Sequence, residues 1–371
     1  MQMSGLSALN AQVLWASFLL SVALGGLLHR THFCTLGAMS DIVLMADWTR
    51  MRQWILAIGV AMLGFAWLVY AGWVDPTKVL YASQRWLWLS ALVGGFMFGV
   101  GMVLASGCAS KTLVRLGGGN LKSLLVLLVV SVSAFATLKG VTAVLRVNTV
   151  DRIGVDFAAG ASLAQLASAH WGVSPTATAL WLGAVLGTSL VIGALWRADF
   201  LQPNNLFAGI GVGALVTAMW WLSGHWGFVP EHPETLEQVF VASSSGRAES
   251  LSFVAPMAYL LHWLMFFSDQ TQVLKLGIVS VLGVVLGATL NALLTNTFRW
   301  EGFRDSEDLT NHLIGAVLMG VGGVTAMGCT IGQGVSGVAT LSLTSFVALG
   351  AIWLGAWAGL QYQVWRVARM A

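Results

Sequence analysis

Ten stretches of this chain, each 16 to 23 residues long, contain a single Lys, Arg, Asp or Glu between them, Lys139. They cover 11–28, 53–74, 87–107, 123–145, 177–196, 205–222, 252–267, 276–295, 311–328 and 343–365. A helix that crosses a bilayer needs about 20 predominantly apolar residues. Only 9% of the 371 residues are charged, against about 25% in a soluble domain, so most of the exterior must face lipid. The apolar runs are continuous rather than alternating, which excludes a β-barrel. The expected fold is therefore all-α, a polytopic membrane bundle of about 9–10 spans. The seventh stretch is short and carries Pro256 and His262, and is expected to be partial or re-entrant. Ala11–Leu28 has no basic region before it and no cleavage site after it, so it reads as the first membrane segment rather than a signal peptide. The 18 Trp suit anchoring at the headgroup level. A net charge of +3 gives no basis for nucleic-acid binding.

The strongest internal signal is a repeat. Gly94–Cys108 and Gly315–Cys329 align at an offset of 221 without a gap, with 8 of 15 positions identical. The same offset brings 53–74 onto 274–295 and 123–144 onto 344–365. A single transporter domain, 1–371, is expected, with repeat units of about 52–146 and 273–367, a linker at 147–176 and an acidic loop at 223–251 holding Glu231, Glu234, Glu237 and Glu249 against Arg247. If every segment between the copies crosses, the copies are parallel; if one is re-entrant, they are inverted. The weak seventh segment favours inversion, a common transporter plan. Lys and Arg are balanced between the two sides, so orientation stays open.

Chemistry concentrates at three cysteines, an odd number that argues against a disulfide framework. Cys34 follows His29, Arg30 and His32. Cys108 follows Gly107 and precedes Lys111 and Arg115. Cys329 follows Gly328 and precedes Gln333. A Gly-Cys pair after an apolar helix, followed by small residues, reads as a discontinuous helix. Irregular backbone survives at membrane depth only where it is buried or lines a cavity. The next half-helix would offer free N–H groups and a positive dipole end to an anion. A neutral thiol adds a weak donor and a soft, polarisable sulfur. The candidate pathway residues are therefore Cys34, Cys108, Cys329, Gly107, Gly328, Lys111, Arg115 and Gln333. Met102 and Met327 would extend the soft lining, though as residues of that type they more often simply pack. Each cysteine also has a plainer reading as a small buried hydrophobe, and Lys111 and Arg115 as interfacial charges. Lys139 lies near the end of its segment and reads as snorkelling. His29, His32 and Cys34 have the types of a metal cluster, but structural zinc takes four ligands and no second cluster is visible. No metal and no cofactor are expected, and no nucleotide-binding Gly-x-x-x-x-Gly-Lys-Ser/Thr loop is present.

At these residues the sequence resembles the YeeE/YedE family of thiosulfate transporters. The likeness is carried by Phe33-Cys34-Thr35-x-Gly37-Ala38-x-x-Asp41, by Gly107-Cys108-x-x-Lys111-Thr112-Leu113-Val114-Arg115, by Gly328-Cys329-x-Ile331-Gly332-Gln333-Gly334, and by Asn291–Arg304. Where the family often has a small residue, this chain has Lys111. The resemblance implies a bundle with inverted pseudo-symmetry, pinched by short broken helices. It implies uptake of thiosulfate across the bacterial inner membrane, Cys34, Cys108 and Cys329 as relay sites with Cys108 central, and, for some members, a small cytosolic TusA-like sulfur carrier as partner. The alternatives are an intramembrane sulfurtransferase or redox protein working through a cysteine persulfide, a scaffold subunit that does not itself transport, or a transporter of a selenium compound or sulfite.

Overall fold

The computed structural model describes residues 3–269, 271–303 and 305–370, and nearly all of its regular structure is helical. Arg304, the last residue of the family-like stretch Asn291–Arg304, lies outside the described residues. The chain opens with α1 (Met3–Thr31), the short α2 (Thr35–Met45) and α3 (Thr49–Tyr70). Next come α4 (Trp88–Leu104), the short α5 (Ala109–Gly117), α6 (Leu121–Lys139) and α7 (Val141–Asn148). The linker carries α8 (Leu163–Trp171), followed by α9 (Pro175–Leu195) and α10 (Pro203–Trp221). After the 227–253 loop come α11 (Val254–Met265), α12 (Leu276–Leu294), α13 (Ser306–Thr325), a short helix over 330–339 wound as a π-helix at Gly332–Gly337, and α14 (Leu343–Met370).

Each of the ten apolar stretches coincides with a helix. Among the described residues, eight helical stretches are long and apolar enough to cross a membrane. The α13 helix has 20 residues but opens on Glu307 and Asp308. The α11 helix, with 12 residues, is about 18 Å long and cannot cross a hydrocarbon layer of about 30 Å. The seventh segment is thus a partial helix. The protein is a multi-pass membrane protein, and large apolar side chains such as Trp15, Phe96, Leu128 and Trp181 remain exposed on its perimeter.

Close backbone contact sets the centre. A Cβ on Gly101 would lie 2.6 Å from the Gly315 carbonyl oxygen, and one on Gly94 would lie 2.7 Å from that of Gly322. The reverse contacts hold as well: Gly315 and Gly322 would each meet the Gly101 and Gly94 carbonyls at 2.6 Å. Because 94 meets 322 and 101 meets 315, α4 and α13 cross antiparallel. Small residues let the two backbones touch where side chains would hold them apart. Around this pair, α14 packs on α4 and α6 packs on α13. The α1 helix lies along α12, and α10 lies along α3.

Two polar stitches brace the loops. Arg299 N–H donates to Gly118 O (3.0 Å) and Leu121 N–H to Glu301 O (2.9 Å). Gly119 sits between them at φ +95, where a Cβ would lie 2.5 Å from Arg299 O, so only glycine fits the turn. The linker is similarly tied at Leu163 N–H to Leu341 O (2.9 Å) and Leu343 N–H to Ala161 O (3.1 Å). In the 223–251 loop, Glu249 does not join an exposed acidic patch with Arg247. It is 7% exposed and accepts from Ser244 N–H (2.9 Å), Ser245 N–H (2.6 Å) and the Ser243 hydroxyl (3.0 Å), while Arg247 donates to Ala82 O.

A Cβ on Gly287 would meet Val22 O at 1.9 Å, whereas nothing lies within 4 Å of one on Gly350. Gly287→Val is expected to cost about 1–3 kcal/mol of stability. Gly350→Ala is expected to be neutral or to stabilise by up to about 1 kcal/mol. Thermal unfolding in detergent checks both.

Candidate functional site

The three cysteines share one local design. Two residues before each lies a left-handed non-glycine residue: His32 (φ 52), Ser106 (φ 57) and Met327 (φ 59). The preceding helix stops there and a new helix starts directly after the thiol, at Thr35, Ala109 and Thr330. At α4 the stop is closed by Gly107 N–H to Met102 O (2.9 Å), and at α13 by Gly328 N–H to Gly323 O (2.8 Å), the six-to-one bond of a Schellman end. The discontinuity is turned not by the glycines but by the residues before them, since the positive φ falls on Ser106 and Met327. An L-residue in that region costs about 1–2 kcal/mol. Gly107 and Gly328 serve instead to leave space. A Cβ on Gly107 would lie 3.1 Å from Lys111 Cγ, and one on Gly328 would lie 3.1 Å from Gln333 Cγ. Both long side chains thus fold back over the break.

Each thiol sits at the start of its half-helix. Cys34 caps α2 and its Sγ accepts from Gly37 N–H at 3.4 Å. Cys329 Sγ accepts from Gly332 N–H at 3.4 Å, and the N–H groups of Ile331 and Phe253 are also directed at it. Cys108 caps α5 and its Sγ lies 3.3 Å from the Ser110 hydroxyl. The residues are 8%, 1% and 0% exposed for Cys34, Cys108 and Cys329, and all three are free thiols. Cys34 lies within electrostatic reach of Cys108 and Lys111, and Cys329 within reach of Cys108. Asp41 pairs with Arg50 Nε (3.2 Å), which pins the far end of α2 to the start of α3.

Two cavities lie beside these breaks, at opposite ends of α6. The first, about 230 Å³, is lined by His29, His32, Lys111, Arg115, Asn120 and Arg299, with Glu301 at its edge. The second, about 190 Å³, is lined by Arg146, Ser252, Glu249, Tyr259, Met327 and Gly328 among others. The first holds Asn120, the N-cap of α6; the second holds Leu138, in its last turn. Eighteen residues of helix separate them by about 27 Å. The first cavity is rich in cations: among the described residues none of Lys111, Arg115 and Arg299 forms a carboxylate ion pair, and Glu301 accepts from the Asn120 amide (2.6 Å).

Side chains satisfy the carbonyls left bare by the breaks. Arg115 Nη1 donates to Ser106 O (2.8 Å). Gln333 Nε2 donates to Ala326 O (2.5 Å) while its Oε1 accepts from the Ser345 hydroxyl (2.5 Å). Tyr81 OH donates to Gly332 O (2.6 Å). Of the eight candidates read from sequence, the three cysteines, the two glycines, Lys111 and Arg115 gather at the breaks or the cavities beside them; Gln333 is there too, with both ends of its amide engaged. Sequence reading missed Tyr81, Ser110, Ser252 and Arg299. Arg299 alone had a signal, its place inside the stretch Asn291–Arg304. The common design at Cys34 was also missed, although Cys34-Thr35-Leu36-Gly37 and Cys329-Thr330-Ile331-Gly332 are visibly alike at an offset of 295.

Broken helices with a cavity beside two of the breaks suit a membrane transporter, and the comparisons with known proteins give that class. The family profile described as sulphur transport matches residues 30–358. The chain belongs to that family and is a transporter of sulfur compounds. It is 25% identical over 346 residues to the thiosulfate transporter TsuA of Escherichia coli, covering 90% of each chain. It is 26% identical over 358 residues to the thiosulfate transporter TsuA of Spirochaeta thermophila, covering 93% of this chain and 97% of that one. A shorter match, 30% identical over 110 residues, links it to the probable transporter YedE of Escherichia coli, covering 30% of this chain and 26% of that one.

Gln333 is 0% exposed and serves two partners. Gln333→Leu strands a buried carbonyl and a buried hydroxyl, each costing about 1–3 kcal/mol. A stability loss of about 2 kcal/mol or more is expected by thermal unfolding; a loss within about 0.5 kcal/mol, the range of an ordinary surface substitution, would show that the amide is not holding the break.

Proposed function

We propose that this protein takes up thiosulfate across the inner membrane through a central path on which Cys34, Cys108 and Cys329 pass the anion from one thiol to the next. The observation that supports this reading is that three free, buried thiols each begin a half-helix, next in sequence to residues that line a cationic cavity (His32, Lys111) and a second cavity (Met327, Gly328) at the opposite end of α6. The curated relatives named as thiosulfate transporters support the choice of anion. The steps follow from ordinary chemistry. Lys111, Arg115 and Arg299 concentrate a dianion at one mouth. Moving it past the buried thiols requires that its water be replaced, and half-helix N–H groups and thiol S–H groups are the replacements at hand. The terminal sulfur is soft and matches the thiols. Each site is weak, which lets the anion leave as well as enter.

The same reading takes the chain as two inverted repeats, about 52–146 and 273–367. Reciprocal packing supports it. At the offset of 221, Gly94 corresponds to Gly315 and Gly101 to Gly322, and each member of one pair touches the other pair's partner across an antiparallel crossing. Likewise α1 packs on α12 as α10 packs on α3, and α2 packs on α14 as α11 packs on α6. A pattern in which i meets j and j meets i is that of a two-fold axis, here lying in the membrane plane. A small TusA-like carrier on the cytosolic side is the proposed acceptor of the delivered sulfur.

Uptake of labelled thiosulfate into proteoliposomes tests the proposal. Wild type is expected to accumulate label. Cys108→Ala should reduce uptake about tenfold or more, the loss of one hydrogen bond to a charged group, and Cys108→Ser should retain part of it through its hydroxyl. Lys111→Gln should raise KM about fivefold, close to 1 kcal/mol for a partly screened charge, with a smaller effect at high salt. Label that stays outside wild-type liposomes contradicts the proposal.

A further inference from the structure

We propose that Thr35 and Thr330 are the oxyanion-binding residues of the two outer sites, each hydroxyl gripping the oxygen end of the substrate while the adjacent thiol faces its sulfur end. This inference deepens, and rests on, the thiosulfate reading above. Both threonines are almost completely buried, 1% and 0% exposed. Neither hydroxyl has a hydrogen-bond partner. A buried hydroxyl left unpaired costs about 1–3 kcal/mol, so two of them at matching places call for an explanation. Each is the first residue of a half-helix and is bonded directly to a cysteine, in the shared run Cys-Thr-Leu/Ile-Gly. Each therefore stands beside a thiol and among the first free N–H groups of its helix, the groups that favour an anion.

The central site differs in the way this assignment requires. The residue after Cys108 is Ala109, with no hydroxyl, and the next one, Ser110, has its hydroxyl against the Cys108 thiol at 3.3 Å. An anion is then held at both ends in each outer site and by its sulfur end alone in the middle. Two firm sites around a weaker one let the ligand cross the middle without being trapped there.

The test uses full-length protein with Thr35→Val and Thr330→Val, which remove the hydroxyl and keep the side-chain shape, with Thr35→Ser as the rescue and Ser21→Ala as a control. Ser21 carries another buried, unpartnered hydroxyl, on α1 away from the cysteine turns. Two readouts are taken: affinity for thiosulfate and for sulfite by ligand-induced thermal shift in detergent, and labelled-thiosulfate uptake in liposomes. Each valine variant is expected to bind thiosulfate about tenfold more weakly, the loss of one hydrogen bond to a charged group. Thr35→Ser should bind like wild type and Ser21→Ala should be unchanged. Without ligand, the unfolding temperature of the valine variants should equal or exceed that of wild type, since no protein partner is lost; a fall would mark a structural role and overturn the inference. Wild-type affinity in both valine variants would also overturn it. Anion binding that weakens in the valine variants, in a wild type that takes up no thiosulfate, would support the inference and overturn the transport reading instead.

Discussion

Breaking a helix inside a membrane bares backbone groups that neither water nor lipid can satisfy, and the rest of this structure is arranged around that cost. Each unsatisfied group in hydrocarbon costs several kcal/mol. At the end of α4 the debt in carbonyls is met by Arg115, and at the end of α13 by Gln333, with Tyr81 serving the next turn through Gly332. The free N–H groups are treated differently. Some are directed at sulfur, as Gly37 is to Cys34 and Gly332 to Cys329. Thioether and thiol sulfurs are weak acceptors, so these amides are only lightly engaged and remain open to a better acceptor. An anion is such an acceptor. On the proposed path, this asymmetry between firmly capped carbonyls and loosely capped amides would favour negative charge.

Packing and chemistry depend on the same small residues. The contact of Gly94 and Gly101 with Gly322 and Gly315 brings α4 and α13 into backbone contact, and the ends of these two helices carry Cys108 and Cys329. Because α4 and α13 cross antiparallel, the two breaks lie beyond opposite ends of this contact. Lys111 and Arg299 line the cavity beside the first break, and Met327 and Gly328 the cavity beside the second.

Much of the architecture was legible in the sequence because the membrane imposes a simple rule. All ten apolar stretches came out helical, and the seventh came out short, as its length, Pro256 and His262 implied. The three cysteines stood out because each interrupts apolar sequence. What sequence could not supply was local conformation and long-range approach. Glycine is the usual left-handed residue, so Gly107 and Gly328 drew attention, yet the backbone turns at Ser106 and Met327 and spends the glycines on clearance. Arg299 reaches the cationic cavity only because Gly118–Leu121 is stitched to Arg299–Glu301, a pairing across almost two hundred residues that no local pattern encodes. Glu249 was legible only as one member of an acidic loop; its burial depends on three donors from Ser243–Ser245 that surround it.

The most direct measurement is an experimental structure of the protein saturated with thiosulfate. Density for the anion is expected in the layer between the two cavities, its terminal sulfur touching the thiol of Cys34, Cys108 or Cys329. An anion bound elsewhere, with Cys108 and Cys329 packed only against hydrocarbon and remote from any passage, would contradict the assignment of these thiols to the path.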